Sequence, residues 1–105
     1  MKIIIVGAGA MGCLYGAFLS EKNQVIMVDT SRTVVDRINS QGIVVKEENG
    51  EEKNYKNNIS AYISGECDEK ADVVIMFVKS TYLENALEQN KELFQEDTMV
   101  LTLHN

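Results

Sequence analysis

The sequence predicts an α/β domain built on a parallel sheet, and three observations carry that prediction. A continuous apolar, β-branched run, Ile3–Val6, ends at Gly7 and gives way to apolar residues spaced three and four apart from Ala10 to Glu21. The same change of period follows Val25–Val28 and again Val73–Val78. The strand-like runs are apolar throughout instead of alternating, which marks strands covered on both faces, the usual condition of a parallel sheet.

Taken in order, Ile3–Val6 is the first strand, and Ala10–Glu21 is a helix whose stripe of Met11, Leu14, Tyr15, Phe18 and Leu19 is expected to face the core. Val25–Val28 is a second strand closed by Asp29. Ser31 or Thr30 then caps a helix through Ser40 with Val34, Val35 and Ile38 on its apolar side. Asn49-Gly50 between Ile43–Lys46 and Asn54–Lys56 signals a hairpin too polar for a central position. Ile59–Ile63 is a short strand and Val73–Val78 a long apolar one. Thr81–Leu93 is a helix with Leu83, Ala86, Leu87 and Leu93 on one face, and Thr98–Leu103 is a last strand. Strand, helix and strand at these lengths require right-handed crossovers, which place helices on both faces of the sheet. With its last strand close to Asn105, the chain reads as the first part of a larger protein: residues 1–105 form one domain, incomplete at its C-terminal end.

A chain of 105 residues with net charge −6 lacks the cationic footprint that nucleic acid or an anionic membrane surface requires. Only four strongly apolar residues follow Lys2 before Gly7, so neither an export signal nor a membrane anchor is expected, and a cytoplasmic location is. Cys13 and Cys67 lie far apart without metal-ligand spacing, and a thiol at Cys13 reads as structural. The acidic stretch Glu47–Lys53 reads as the solvated tip of the hairpin; nothing organises its carboxylates around a metal ion.

The chemistry concentrates at Gly7-Ala8-Gly9-Ala10-Met11-Gly12, a G-x-G-x-x-G motif that follows a strand and opens a helix. In that context it predicts a Rossmann-type dinucleotide site. Gly7 permits the tight turn, Gly9 lets the backbone approach a diphosphate, and Gly12 allows the helix to pack closely on the sheet. The diphosphate would rest on the free N–H groups of the first helical turn, roughly residues 9 to 12, with Ala8, Ala10 and Met11 completing the loop. Glycine costs roughly 0.5–1 kcal/mol in a regular element, so a cluster of them here is best explained by the room it leaves for a ligand. The plainer reading is a tight strand–helix turn. Asp29 stands 22 residues after Gly7, at the end of the second strand, where a carboxylate accepts the hydroxyls of an adenosine ribose and repels a 2′-phosphate. It therefore favours NAD(H) over NADP(H), although it also fits a solvated acid or a helix cap. Arg32, three residues on, can reach a 2′-phosphate or stack over adenine.

Lys79 and Asn105 each follow an apolar strand, at the sheet edge where ligands of open α/β folds collect. A lysine there offers a charged donor to a substrate carboxylate, and an asparagine both donates and accepts. A solvated charge is the plainer reading of Lys79. His104, the sole histidine, reads as a packing or backbone-bonding residue.

With "KIIIVGAGAMGCLYGAFLSEKNQVIMVD", "DVVIMFVKSTYLENAL" and "DTMVLTLHN" set side by side, the chain resembles the N-terminal nucleotide-binding domain of the ketopantoate reductases, across essentially its whole length. The Val78-Lys79-Ser80 turn and the Leu103-His104-Asn105 ending are the more specific features of that resemblance. It implies hydride transfer from NAD(P)H, usually NADPH, to a 2-keto acid, 2-dehydropantoate, giving pantoate. It also implies that Lys79 orients the keto acid, that Asn105 lies near the nicotinamide and holds substrate, and that both belong to the cofactor-binding set. The general acid and a substrate-binding carboxylate would come from a helical downstream domain, so no residue here is expected to be catalytic and the isolated chain is expected to be inactive. A homodimer is the assembly to test. Where members use NADPH, a basic residue commonly follows the second strand directly; here Thr30 and Ser31 intervene before Arg32. The competing resemblance is to ligand-sensing domains that regulate potassium transport, in which the nucleotide changes assembly and no hydride moves.

Overall fold

The structure, a computed structural model, describes residues 1–78 and 80–103. Seven strands and three α-helices follow in the order β1 (Lys2–Val6), α1 (Ala10–Leu19), β2 (Gln24–Asp29), α2 (Arg32–Gln41), β3 (Ile43–Lys46), β4 (Glu52–Tyr55), β5 (Ile59–Ile63), β6 (Val73–Met76), α3 (Ser80–Gln89) and β7 (Met99–Thr102), with a 3-10 turn at Lys91–Leu93. Strands β5-β2-β1-β6-β7 form one five-stranded sheet, parallel throughout, and β3-β4 form a separate antiparallel pair. The order reverses direction at β1, which pairs Ile3 with Val25 on one side and with Val73 on the other.

The apolar runs are central because both of their faces are covered. Ile3 and Ile5 pack with Val35 and Ile38 of α2 and Ala17 of α1, whereas Ile4 and Val6 pack on the opposite side with Ala86 of α3, Leu93 and Cys67. Each Ile or Val so enclosed contributes roughly 1.5–3 kcal/mol over an exposed one. At the open edge β7 is exposed along its length, with Met99 and Leu101 in register with Val73 and Ile75.

Helix α1 departs from the expectation for its stripe. Met11, Tyr15 and Phe18 are 45 %, 42 % and 51 % exposed, Leu14 and Leu19 are half-buried, and the fully buried face is Gly12, Gly16 and Ala17. The reason is distance. A Cβ at Gly12 would lie 2.1 Å from the Gly7 carbonyl oxygen, and one at Gly16 would lie 2.7 Å from the Met27 sulfur. The sheet's own Ile5 and Met27 fill the space between layers, so the helix turns its smallest side chains inward. The displaced rings find partners at the margin: Tyr15 stacks on Phe77 with centroids 5.2 Å apart, and Phe18 meets Tyr55 edge-on at 6.2 Å.

Other boundaries shift modestly. β6 stops at Met76, short of Val78, and the helix expected over Thr81–Leu93 divides into α3 and the 3-10 turn at Asn90. Its apolar face is as read, with Ala86 and Leu93 buried and Leu83 and Leu87 packed beside them. Ser31, and not Thr30, caps α2, its Oγ accepting from the Val34 N–H at 3.3 Å. The hairpin pairs Lys46 with Glu52 around a longer loop, Glu47–Glu51 being exposed, with Gly50 at φ 86°.

Candidate functional site

The carboxyl ends of β1, β2 and β6 converge on a cavity of about 520 Å³. Val6, Gly7 and Gly9 line it from the glycine loop, Val28, Asp29 and Thr30 from the end of β2, and Phe77 and Val78 from the segment after β6. Ser64 closes the side after β5, and Tyr82, Asn85, Ala86 and Gln89 of α3 form the opposite wall. This is where the strand order reverses, the place at which open α/β sheets gather ligands.

The glycines of the loop have three separate roles. Gly7 adopts φ 109°, and a Cβ there would lie 2.3 Å from the Phe77 carbonyl oxygen, so the turn and the neighbouring segment both demand glycine. Gly12 lets α1 press against the loop's own backbone. A Cβ at Gly9 would meet nothing within 4 Å, so at this position no packing explains the missing side chain. Gly9 is also the N-cap of α1 and provides no side-chain cap, leaving first-turn N–H groups free to face an anion. Ala8, Gly9 and Ala10 line a second cleft of about 460 Å³ with Cys13, Arg37 and Val44, and Met11, exposed to solvent, lines neither.

Asp29 is half-buried and accepts two backbone hydrogen bonds, from the Ala8 N–H at 2.7 Å and from the Ser31 N–H at 2.9 Å. Arg32 lies outside the cavity lining; its guanidinium pairs with Glu66 at 3.5 Å, both side chains exposed. Burial pushes the Cys13 thiol above its ordinary pKa, and its Sγ–H donates to the Ala8 carbonyl at 3.4 Å, which fits a structural thiol. Lys79, His104 and Asn105 lie outside the described residues. Among the described residues no group of three or more His, Cys, Asp or Glu could hold a metal ion, and no helix is long and apolar enough to cross a membrane.

Sequence reasoning missed the α3 wall. Tyr82, Asn85 and Gln89 recur at three and four residues, the face next to the apolar one that placed the helix, and Tyr82 is 63 % exposed at the cavity. It also missed Asn90, which is 2 % exposed. The Asn90 Nδ2 donates to Ser64 Oγ and the Ala86 carbonyl, while Oδ1 accepts from the Gly65 N–H. This ties the loop after β5 to the end of α3, and Ser64 in turn donates to Gln89 Oε1 at 3.1 Å.

Comparison with known proteins gives these features a lineage. The chain is 35 % identical, over its whole length, to the 2-dehydropantoate 2-reductase of Lactococcus lactis subsp. lactis (strain IL1403) and covers 34 % of it. It superposes on the ternary structure of D-mandelate dehydrogenase with NADH and anilino(oxo)acetate with a TM-score of 0.90 at 34 % identity, covering all of this chain and 33 % of that one. A PanE/ApbA family ketopantoate reductase from Ralstonia eutropha JMP134 superposes with a TM-score of 0.87 at 31 % identity, covering all of this chain and 34 % of that one. The chain thus spans about a third of the length of these relatives. The model of the ketopantoate reductase PanE/ApbA family matches residues 3–105, which sets aside the potassium-transport alternative: the chain belongs to the ketopantoate reductase family.

Proposed function

We propose that this chain is the dinucleotide-binding part of a reductase that passes hydride from NAD(P)H to a 2-keto acid, 2-dehydropantoate in the first instance. The observation that carries the reading is the open space at Gly9 beside an uncapped helix N-terminus, between two glycines that backbone conformation and packing already account for. The residues fit the cofactor. Gly7, Ala8, Gly9, Ala10, Met11 and Gly12 supply the loop that would hold the diphosphate, Asp29 would hold the adenosine ribose, and the cavity between β2 and α3 would receive the adenosine. When bound, the dinucleotide supplies the hydride. The chain's own residues bind and orient it and exclude water from one side.

The finer reading is a modest preference for NADH. Asp29 places a carboxylate at the end of β2, and the nearest basic residue along the chain, Arg32, is paired with Glu66. The D-mandelate dehydrogenase relative, described with NADH and anilino(oxo)acetate, supports both the nicotinamide and an oxo acid as ligand classes. Lys79 and Asn105 are proposed to face the keto acid, and in a longer parent their replacement by Ala should reduce keto-acid turnover more than dinucleotide affinity. The 105-residue chain alone should bind dinucleotide without reducing keto acid, since orienting both reactants and supplying a proton require further groups.

The test is titration of NADH and NADPH into the chain by calorimetry, with Gly9→Val as control. Saturable binding, weakened at least tenfold by Gly9→Val in a protein that still folds, is the expected result. Absence of binding, or binding indifferent to Gly9, overturns the reading. NADPH binding tenfold tighter than NADH, about 1.4 kcal/mol, overturns the preference.

A further inference from the structure

Asp29 ends β2 with its carboxylate shared between two separate pieces of backbone. Oδ2 accepts from the Ala8 N–H at 2.7 Å, across 21 residues of chain, and Oδ1 accepts from the Ser31 N–H at 2.9 Å. Ala8 is only 7 % exposed and lies between Gly7, whose φ is positive, and Gly9, which caps α1. Beside it the Gly7 N–H donates to the Val28 carbonyl at 2.7 Å. The end of β2 therefore grips the glycine loop at two consecutive amides, one through main chain and one through a side chain.

We propose that Asp29 is a positioning residue for the diphosphate cradle: by holding the Ala8 amide it sets the loop in its binding shape, in addition to any contact with ribose. This rests on the dinucleotide reading of the loop. The two roles are compatible, because an ionised carboxylate offers about four acceptor positions and the backbone takes two of them. Asparagine cannot substitute. Its single oxygen can serve one of the two amides, and its NH2 group then confronts the other donor, so either the Ala8 or the Ser31 N–H loses its partner.

Inorganic pyrophosphate distinguishes this role from ribose recognition, because it has no ribose. If Asp29 serves only ribose and charge, Asp29→Asn removes a negative charge near the anion and pyrophosphate binds as well or better. If Asp29 holds the loop, pyrophosphate binds less well. Titration followed by NMR on the chain should show pyrophosphate affinity falling at least threefold in Asp29→Asn, with NADH and NADPH both weakened. Before any ligand is added, the Ala8 amide should lose its exchange protection in that variant. Pyrophosphate affinity that is unchanged or increased overturns the proposal while leaving the dinucleotide reading intact. A parent that binds neither pyrophosphate nor NADH overturns both. Should Asp29→Asn fail to fold, the parent still decides: an Ala8 amide exchanging as fast as those of the exposed Glu48 and Asn49 overturns the proposal.

Discussion

A Cβ on Gly12 would lie 2.1 Å from the carbonyl oxygen of Gly7, so the first turn of α1 and the turn that precedes it are packed backbone against backbone. Neither side is a flexible side chain that can move aside. Gly12→Ala should therefore cost about 3 kcal/mol through overpacking. Gly9→Ala, with open space around its Cβ and φ −76°, should change stability by less than about 0.5 kcal/mol while weakening dinucleotide binding. Denaturant melts paired with calorimetric titration separate the two. A Gly9→Ala protein as unstable as Gly12→Ala would contradict the assignment of open space at Gly9.

Asn90 should act on both fold and site. Asn90→Ala takes away the acceptor of the Gly65 N–H and the donor to Ser64 Oγ, while the Ala86 carbonyl keeps the Asn90 backbone N–H at 3.1 Å, so the change should cost about 1–2 kcal/mol. Because Ser64 and Gln89 both line the cavity, dinucleotide affinity should fall in the folded fraction as well. A shift in urea midpoint at constant slope measures the first effect, and titration well below that midpoint measures the second.

Acid should loosen the contact between the start of β1 and the segment before β6. The Lys2 ammonium, 2.9 Å from Glu69, holds the Glu69 carboxyl below the ordinary carboxylate range, helped by the Tyr62 hydroxyl at 3.1 Å; the same carboxylate pushes the Tyr62 phenol up. A carboxyl depressed in the folded state stabilises fully above its unfolded pKa, and that contribution disappears as pH falls through the folded value. Stability measured from pH 6 down to pH 3 should drop more steeply in the parent than in Glu69→Gln, with about 1 kcal/mol separating them at pH 6. Parallel curves would show that the pair contributes nothing.

Phe18 tests the orientation of α1. Were it the core residue that periodicity suggests, Phe18→Ala would cost 3–5 kcal/mol. Half exposed, with an edge contact to Tyr55, it should cost about 1 kcal/mol, read as a small shift in thermal midpoint.

These cases also mark what was legible in the sequence. Continuous apolar runs such as Val25–Val28 and Ile3–Val6 identified the central strands because burial on two faces leaves no room for alternation. The glycine loop was legible because its spacing encodes local backbone requirements. The inward face of α1 was not. Two sets of residues share its three-and-four period, and the choice between them depends on Met27 and Ile5, which belong to other strands. Asp29 was placed correctly at the end of β2, but its bond to Ala8 is a tertiary fact, set by how closely β1 and β2 end side by side. The α3 wall was overlooked because Tyr82, Asn85 and Gln89 look like any solvated helix face until β2 and β5 stand opposite them.

The β3-β4 pair forms a sheet of its own, and a two-stranded hairpin in water is at best marginally stable. What holds it is Ile43 and Tyr55 in the core against α1, with Lys53 joined to Glu21 at 3.1 Å on the exposed side. The molecule should therefore open in two tiers. The amides of β1, β2 and β6 will exchange only when the whole chain unfolds, whereas those of Val44 to Lys46 and Lys53 to Tyr55 will exchange through a partial opening of lower free energy. Since β4 lines neither cleft beside the glycine loop, a dinucleotide bound there would slow the first set and leave the amides of Lys53 to Tyr55 nearly unchanged, whereas Val44, which borders the cleft shared with Ala8 and Gly9, would report the ligand.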